Sequence, residues 1–152
     1  MKKVGIAVAT FFGAGFLPVA PGSWASLLTA LIVFFTPLST LPFLFLAMIT
    51  AVVYAIGIPA AGICEEHYQK HDPRQCVIDE VAGQLVSLWF LPRQAGFFIA
   101  AFFLFRIFDV LKPFPVNKSE ALPRGIGIMT DDVLAGFYTL AVLQVIRRIF
   151  FN

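Results

Sequence analysis

Seven ionisable residues in the second half of the chain are spaced as if to do chemistry together. Two acid pairs recur, Asp79-Glu80 and Asp131-Asp132, and each leads into a small residue: Gly83 four positions after Asp79, Gly136 four after Asp132. Between the pairs, Arg106, Asp109 and Lys112 fall at i, i+3 and i+6, a cation–acid–cation series along roughly one helix face. With Asp72 these carboxylates can converge, and carboxylates crowded together repel one another unless a cation sits between them. All-oxygen ligands favour Mg²⁺, Mn²⁺ or Ca²⁺ over zinc or copper. Arg106, Lys112, Lys118 and Arg124 are then left to hold an anion. Acids, a divalent metal and a basic clamp together point to phosphoryl chemistry.

Residues 77–115 must position most of these groups. Two apolar segments flank a break at Leu91-Pro92-Arg93-Gln94, where proline cannot continue a helix. The pattern predicts a helical hairpin over 77–111 with its turn at 91–94. Asp79 lies 13 residues before Pro92 and Asp109 lies 15 after Gln94. At ~1.5 Å per residue both sit ~20 Å from the turn, so folding back brings Asp79, Glu80, Arg106, Asp109 and Lys112 to one level. On the first arm, Asp79, Gly83 and Ser87 form a polar, small stripe, and Gly83 lets another backbone come close. Asp132, Gly136 and Thr139 repeat that stripe on a last helix, expected to be capped by Thr130 or Asp131 and to run to about Arg147. A polar loop over 116–129, carrying Lys118, Glu120 and Arg124, is expected to join the two.

The rest of the chain reads as membrane protein. It is 59% hydrophobic and 13% charged, against about 25% charged in an average soluble domain. No charged side chain occurs between Lys3 and Glu65, a run of 61 residues. Pro42–Ile63 is the clearest spanning segment, with a kink expected at Gly57 and Pro59. Residues 4–17 are short for a span and are expected to form a re-entrant or interfacial segment. Ser23 is expected to cap a helix from near Trp24 to Phe35, whose free N–H groups could take a phosphate oxygen. The expected fold is all-α: a polytopic helical membrane protein with the hairpin 77–111, about three further apolar helices and a re-entrant N-terminal segment, in one domain. A cleavable signal peptide is not expected.

In this arrangement both charged clusters emerge on one side. Six Lys and Arg residues (70, 74, 106, 112, 118, 124) lie there, against Arg93, Arg147 and Arg148 on the other, with Lys2 and Lys3 unassigned. The positive-inside rule then puts the acids in the cytoplasm.

Several chemistries are excluded. A net charge of +2 carries no nucleic-acid signature. Cys64 and Cys76 make neither a disulfide framework nor a zinc site, and are expected to be buried. His67 and His71 are spaced i, i+4 but lack an H-E-x-x-H arrangement; His67 reads as a solvated helix end, whereas His71 lies just before the hairpin. The phosphatase signatures C-x5-R, D-x-D and K-x6-R-P are absent, as is the CDP-alcohol phosphotransferase pattern. Ion pairs at a membrane surface contribute little, so mutual pairing alone is a weak reason for these acids to recur at helix starts. The rival reading is a cation transporter, which would want its acids near mid-span rather than at helix ends beside cations.

The segments PGSWASL (21–27), HD with VIDEVAG (71–83), FRIFDVLKPFPV (105–116) and GIGIMTDDVLAGFY (125–138) resemble the phosphatidylglycerophosphatase A family, in that family's order. The resemblance implies a Mg²⁺-dependent lipid phosphatase of the bacterial inner membrane, hydrolysing phosphatidylglycerol phosphate to phosphatidylglycerol and phosphate. It maps the family's acidic motif residues onto Asp79, Glu80, Asp109, Asp131 and Asp132, the expected catalytic and metal-holding set. Its basic motif residues fall on Arg106 and Lys112, which with Ser23 and His71 are expected to bind the substrate phosphate. Water or an aspartate would be the nucleophile. Arg124 departs from the pattern, standing where glycine is expected in some relatives.

Overall fold

The computed structural model describes residues 2–119 and 122–150, and among these there are helices and turns but no strand. Seven α-helices follow in order: α1 Lys2–Ala9, α2 Pro21–Phe35, α3 Phe43–Tyr68, α4 Ile78–Ser87, α5 Ala95–Leu111, α6 Val116–Ser119 and α7 Gly125–Phe150. Short 3₁₀ turns at Ala14–Phe16 and Pro37–Thr40 flank α2. Glu120, expected in the polar loop, lies outside the described residues.

The shortest of the principal helices is the central one. Every residue of α4 is buried except Glu80, which is partly so. It packs most extensively on α7, then on α3 and α2, with α5 alongside. The α4–α7 crossing is set by the two glycines that follow the acid pairs. A Cβ on Gly83 would overlap the backbone carbonyl of Asp132, and a Cβ on Gly136 would overlap that of Gly83. Only glycine at both places lets the two backbones touch, as small residues do between membrane helices.

α4 stops at Ser87, four residues before the turn that proline sets, because tertiary contacts take the chain over. Trp89 Nε1 donates to Thr50 Oγ1 at 3.2 Å, and its ring meets Phe43 and Phe137 edge-on. Phe90 stacks on Phe43 with centroids 4.0 Å apart. The hairpin nonetheless closes as predicted, with α5 returning from Ala95.

Two helices begin earlier than expected. α2 starts at Pro21, after Ala20 in a left-handed conformation, so Ser23 is the third helical residue and not the cap. Proline's fixed φ is preorganised for the first helical position, which explains the choice. α7 starts at Gly125 rather than at Thr130 or Asp131. There a Cβ would overlap the Ile58 carbonyl of α3, so this glycine-rich start is held by packing, against its poor helix propensity. α3 extends past Ile63 to Tyr68 and contains Pro59 within it.

Two helices, α3 and α7, are long and apolar enough to cross a membrane. Large apolar side chains stand exposed along their outer faces and that of α5, among them Leu44, Val52, Phe103, Ile107, Val145 and Ile149. The bundle has two distinct ends. At one, Arg147 donates to the Phe90 carbonyl and Arg93 lies over the Phe34 ring. At the other lie the end of α3, the starts of α2, α4 and α7, and the end of α5. Lys2 joins this second end through an ion pair with Glu66 at 3.5 Å.

Candidate active site

The acids meet at that second end. Asp79 and Glu80 occupy the first turn of α4, where the helix dipole favours negative charge. Asp132 reaches them from α7, just above the Gly83–Gly136 crossing. Each of the three offers a carboxylate oxygen, and these atoms lie within 4.8 Å of one another. Asp79 Oδ1, Glu80 Oε2 and Asp132 Oδ2 are buried and have no hydrogen-bond partner. Buried charges are normally paired or bound to metal. Three clustered acids, each with an orphaned buried oxygen, therefore suit a divalent cation, and a donor set made only of carboxylates suits a hard one.

The other two acids expected as ligands are turned toward cations. Asp109 pairs with Arg106 at 2.8 Å, and the same guanidinium lies 3.8 Å from Glu80. Asp109 still interacts electrostatically with both Glu80 and Asp132. Asp131 binds Lys112 Nζ at 2.7 Å through Oδ2 and accepts the Asp132 N–H at 3.0 Å through Oδ1. Asp72 interacts with Asp79, Glu80 and Asp131. The convergence read from the spacing is thus present, arranged as a triad beside two cation–acid pairs.

Lys112 is placed by the end of α5, where it takes a left-handed conformation, φ 43°. Asp72 does the same at φ 46°. Non-glycine residues rarely hold this conformation, and it concentrates where surrounding structure fixes a functional geometry.

Ser23 and His71 sit at the margins. Ser23 is half-buried in the first turn of α2, and that turn is pressed onto the site: a Cβ on Gly22 would overlap Glu80 Oε1. Sequence reasoning singled out Ser23 and missed Gly22, although the Pro-Gly pair opening an apolar helix was the available signal. His71 is exposed and its Nδ1 lies 2.5 Å from Glu65 Oε1. It lines a small cleft of about 180 Å³ with Asp72, Ile128 and Asp131, and a larger groove of about 990 Å³ with Lys70 and Arg124. Glu65 as its partner was not foreseen.

Both cysteines are buried, as expected, and free. A hydrogen bond with Cys64, together with burial, pushes the Cys76 thiol up, away from the thiolate that reacts.

Arg124 holds φ 55° at the turn into α7. Glycine adopts that conformation without steric cost, which accounts for the expectation of glycine there.

Comparison with known proteins matches the chain along most of its length. The family profile described as Phosphatidylglycerophosphatase A matches residues 7–147. A Bacteroides thetaiotaomicron protein named "Putative phosphatidylinositol-3-phosphatase" is 39% identical over 149 residues, covering 93% of this chain and 92% of its own. Proteins named Phosphatidylglycerophosphatase A from Haemophilus influenzae and Escherichia coli are 37% and 32% identical, covering 92% and 91% of this chain and 86% and 81% of theirs. No solved structure matches. Aspartates, arginine and lysine of the resembling segments thus come together in a chain matched along nearly its whole length, and the chain belongs to the phosphatidylglycerophosphatase A family.

Proposed function

We propose that this enzyme hydrolyses the terminal phosphate monoester of phosphatidylglycerol phosphate, with Mg²⁺ held by Asp79, Glu80 and Asp132 and approached by Asp109 and Asp131. The observation that carries the reading is the triad of clustered acids, each with an orphaned buried oxygen, beside Arg106 at one end of an apolar bundle. Bound there, Mg²⁺ would supply polarisation of a phosphoryl oxygen and a more acidic water. The chain's own groups do the rest. Arg106 presents a planar fork that can exchange Asp109 and Glu80 for two phosphate oxygens, and Lys112 adds a point charge on the other side of Asp109. Fixed cations aimed at the phosphoryl group stabilise charge as it develops in the transition state. The first turn of α2 adds its N–H groups from the Gly22–Ser23 side.

Membrane placement follows from lengths and charges. α3 and α7, of 26 residues each, are about 39 Å long and exceed the ~30 Å hydrocarbon layer. α2 and α5 reach most of the way across, α4 is a half-span, and α1 lies at the interface beside the site. Eight of the eleven Lys and Arg residues, with Lys2 and Lys3 now assigned, stand at the site end. That bias favours a cytoplasmic site in the bacterial inner membrane.

A second lipid phosphate merits direct comparison, because the relative at 39% identity carries a phosphatidylinositol-3-phosphatase name. The test is phosphate release from detergent-dispersed phosphatidylglycerol phosphate and phosphatidylinositol 3-phosphate, with Mg²⁺ or with EDTA. Release from the first, exceeding that from the second and abolished by EDTA, is expected. Full turnover in EDTA would overturn the metal assignment, and preference for the inositol lipid would overturn the substrate.

A further inference from the structure

Below the site, α2 and α5 leave between them a groove of about 470 Å³ walled only by apolar side chains, including Leu27, Leu31 and Phe34 on α2 and Phe98, Ile99 and Phe102 on α5. The two helices that wall it also lead to the site. On α5, Phe98, Phe102, Arg106 and Asp109 follow one another at i, i+4, i+8 and i+11, a single stripe. On α2, Leu27 lies one turn beyond Ser23, and Gly22 rests on Glu80. The far end closes where Phe34 meets Phe98 edge-on at 5.1 Å and Arg93 covers Phe34. From Phe103 to Ala95 the groove runs about 12 Å along α5, most of one leaflet's hydrocarbon depth of about 15 Å. No charge lines it, and Arg106 follows Phe102 by one turn of the same helix. The ligand complementary to that pattern has an anionic head and an aliphatic tail.

We propose that this groove seats the head-proximal part of one acyl chain of the lipid phosphate while its phosphate engages Arg106. The inference rests on the phosphatase reading for the ligand's identity. The outer face of α3 around Val52, also exposed, has no cation within a turn of it. The groove would act as a ruler, fixing how far the phosphate rises toward the triad.

The test uses a phosphatidylglycerol phosphate bearing a photoactivatable diazirine in the head-proximal half of one chain, on wild-type protein in detergent–lipid micelles. Adducts are expected between residues 27 and 35 and between 95 and 103. Excess unlabelled phosphatidylglycerol phosphate should compete with them, and phosphatidylglycerol, which lacks the terminal phosphate, should compete poorly. Adducts spread over all exposed helices, or equal competition by both lipids, would overturn the groove. Ile99→Trp, at a position 57% exposed, should fill it and remove the adducts. It should lower kcat/KM on the dioleoyl substrate by about tenfold or more, the equivalent of roughly two methylenes losing their contacts, yet spare a dihexanoyl analogue. Val52→Trp on α3 should do neither. Equal losses on both chain lengths would also sink the proposal. Groove adducts in a protein that hydrolyses neither lipid would refute the phosphatase reading and leave the groove standing.

Discussion

Replacing Gly83 by alanine is the sharpest test of how the fold builds the site. The new Cβ would overlap the Asp132 carbonyl oxygen, come to 2.5 Å from Phe105 Cε2 and lie 2.8 Å from the Asp132 carbonyl carbon. Ordinary carbon contacts begin near 3.5 Å, so α7 must move off α4 by about 1 Å. Phe105 is fully buried and cannot swing aside. Overpacking of this kind costs about 1–3 kcal/mol in stability. The residue pushed is Asp132 itself, whose carboxylate completes the triad on Asp79 and Glu80. A misplacement of about 1 Å at a reacting centre can cost on the order of a hundredfold in rate. The assay pairs thermal unfolding in detergent with Mg²⁺-dependent phosphate release, with Gly96→Ala as control because nothing lies within 4 Å of a Cβ there. Gly83→Ala should lose both stability and turnover, and should need more Mg²⁺ for half-maximal rate. Loss of stability with normal turnover and Mg²⁺ demand in the surviving folded fraction would refute the claim that this crossing sets the triad.

Asp79→Asn and Asp132→Asn should each abolish turnover while the protein stays folded, since each removes one of three mutually repelling buried acids; unfolding midpoints that fall by several degrees would argue for a structural role instead. Arg106→Lys should cost ~2–3 kcal/mol of transition-state stabilisation, because the fork to two oxygens is lost. A large rightward shift in Mg²⁺ demand with normal saturated turnover would mean that Arg106 organises Asp109 and Glu80 rather than the phosphate. A cysteine placed at Arg93 should be labelled by an impermeant reagent from outside intact cells, and one placed at Lys118 should not. The native thiols, both buried, should give little background, and reversed accessibility would invert the topology.

Much of the site was legible because helical spacing is rigid. Counting residues from Pro92 put Glu80 and Arg106 at one level, and they stand 3.8 Å apart. The repeated acid-to-glycine interval foretold a close backbone approach, and Gly83 meets Gly136 across α4 and α7. What stayed hidden depends on contacts between distant residues. Asp131 and Asp132 look equivalent in a sequence, but neighbours on a helix point about 100° apart. One therefore reaches Lys112 and the other the triad. Likewise Ser23 is the better cap by type, yet Pro21 and Gly22 begin the helix because Gly22 has to fit against Glu80. The early start of α7 was invisible for the same reason, since the contacts with α3 at Ile58, Ala61 and Gly62 explain a glycine at 125.

The shortness of α4 bears on how the protein is made. Ten residues that carry Asp79 and Glu80 in their first turn cannot cross a bilayer alone, because a span needs about 20 apolar residues. α4 becomes tolerable in hydrocarbon only after α3 and α7 have shielded it. α7 is synthesised after α4, so α4 must wait near the headgroups until α7 has left the ribosome. Assembly of the site is therefore expected to take one concerted docking step, in which α7 both pulls the acids inward and closes the site around them. A chain released before α7 should expose α4 to membrane proteases rather than persist as a stable fragment.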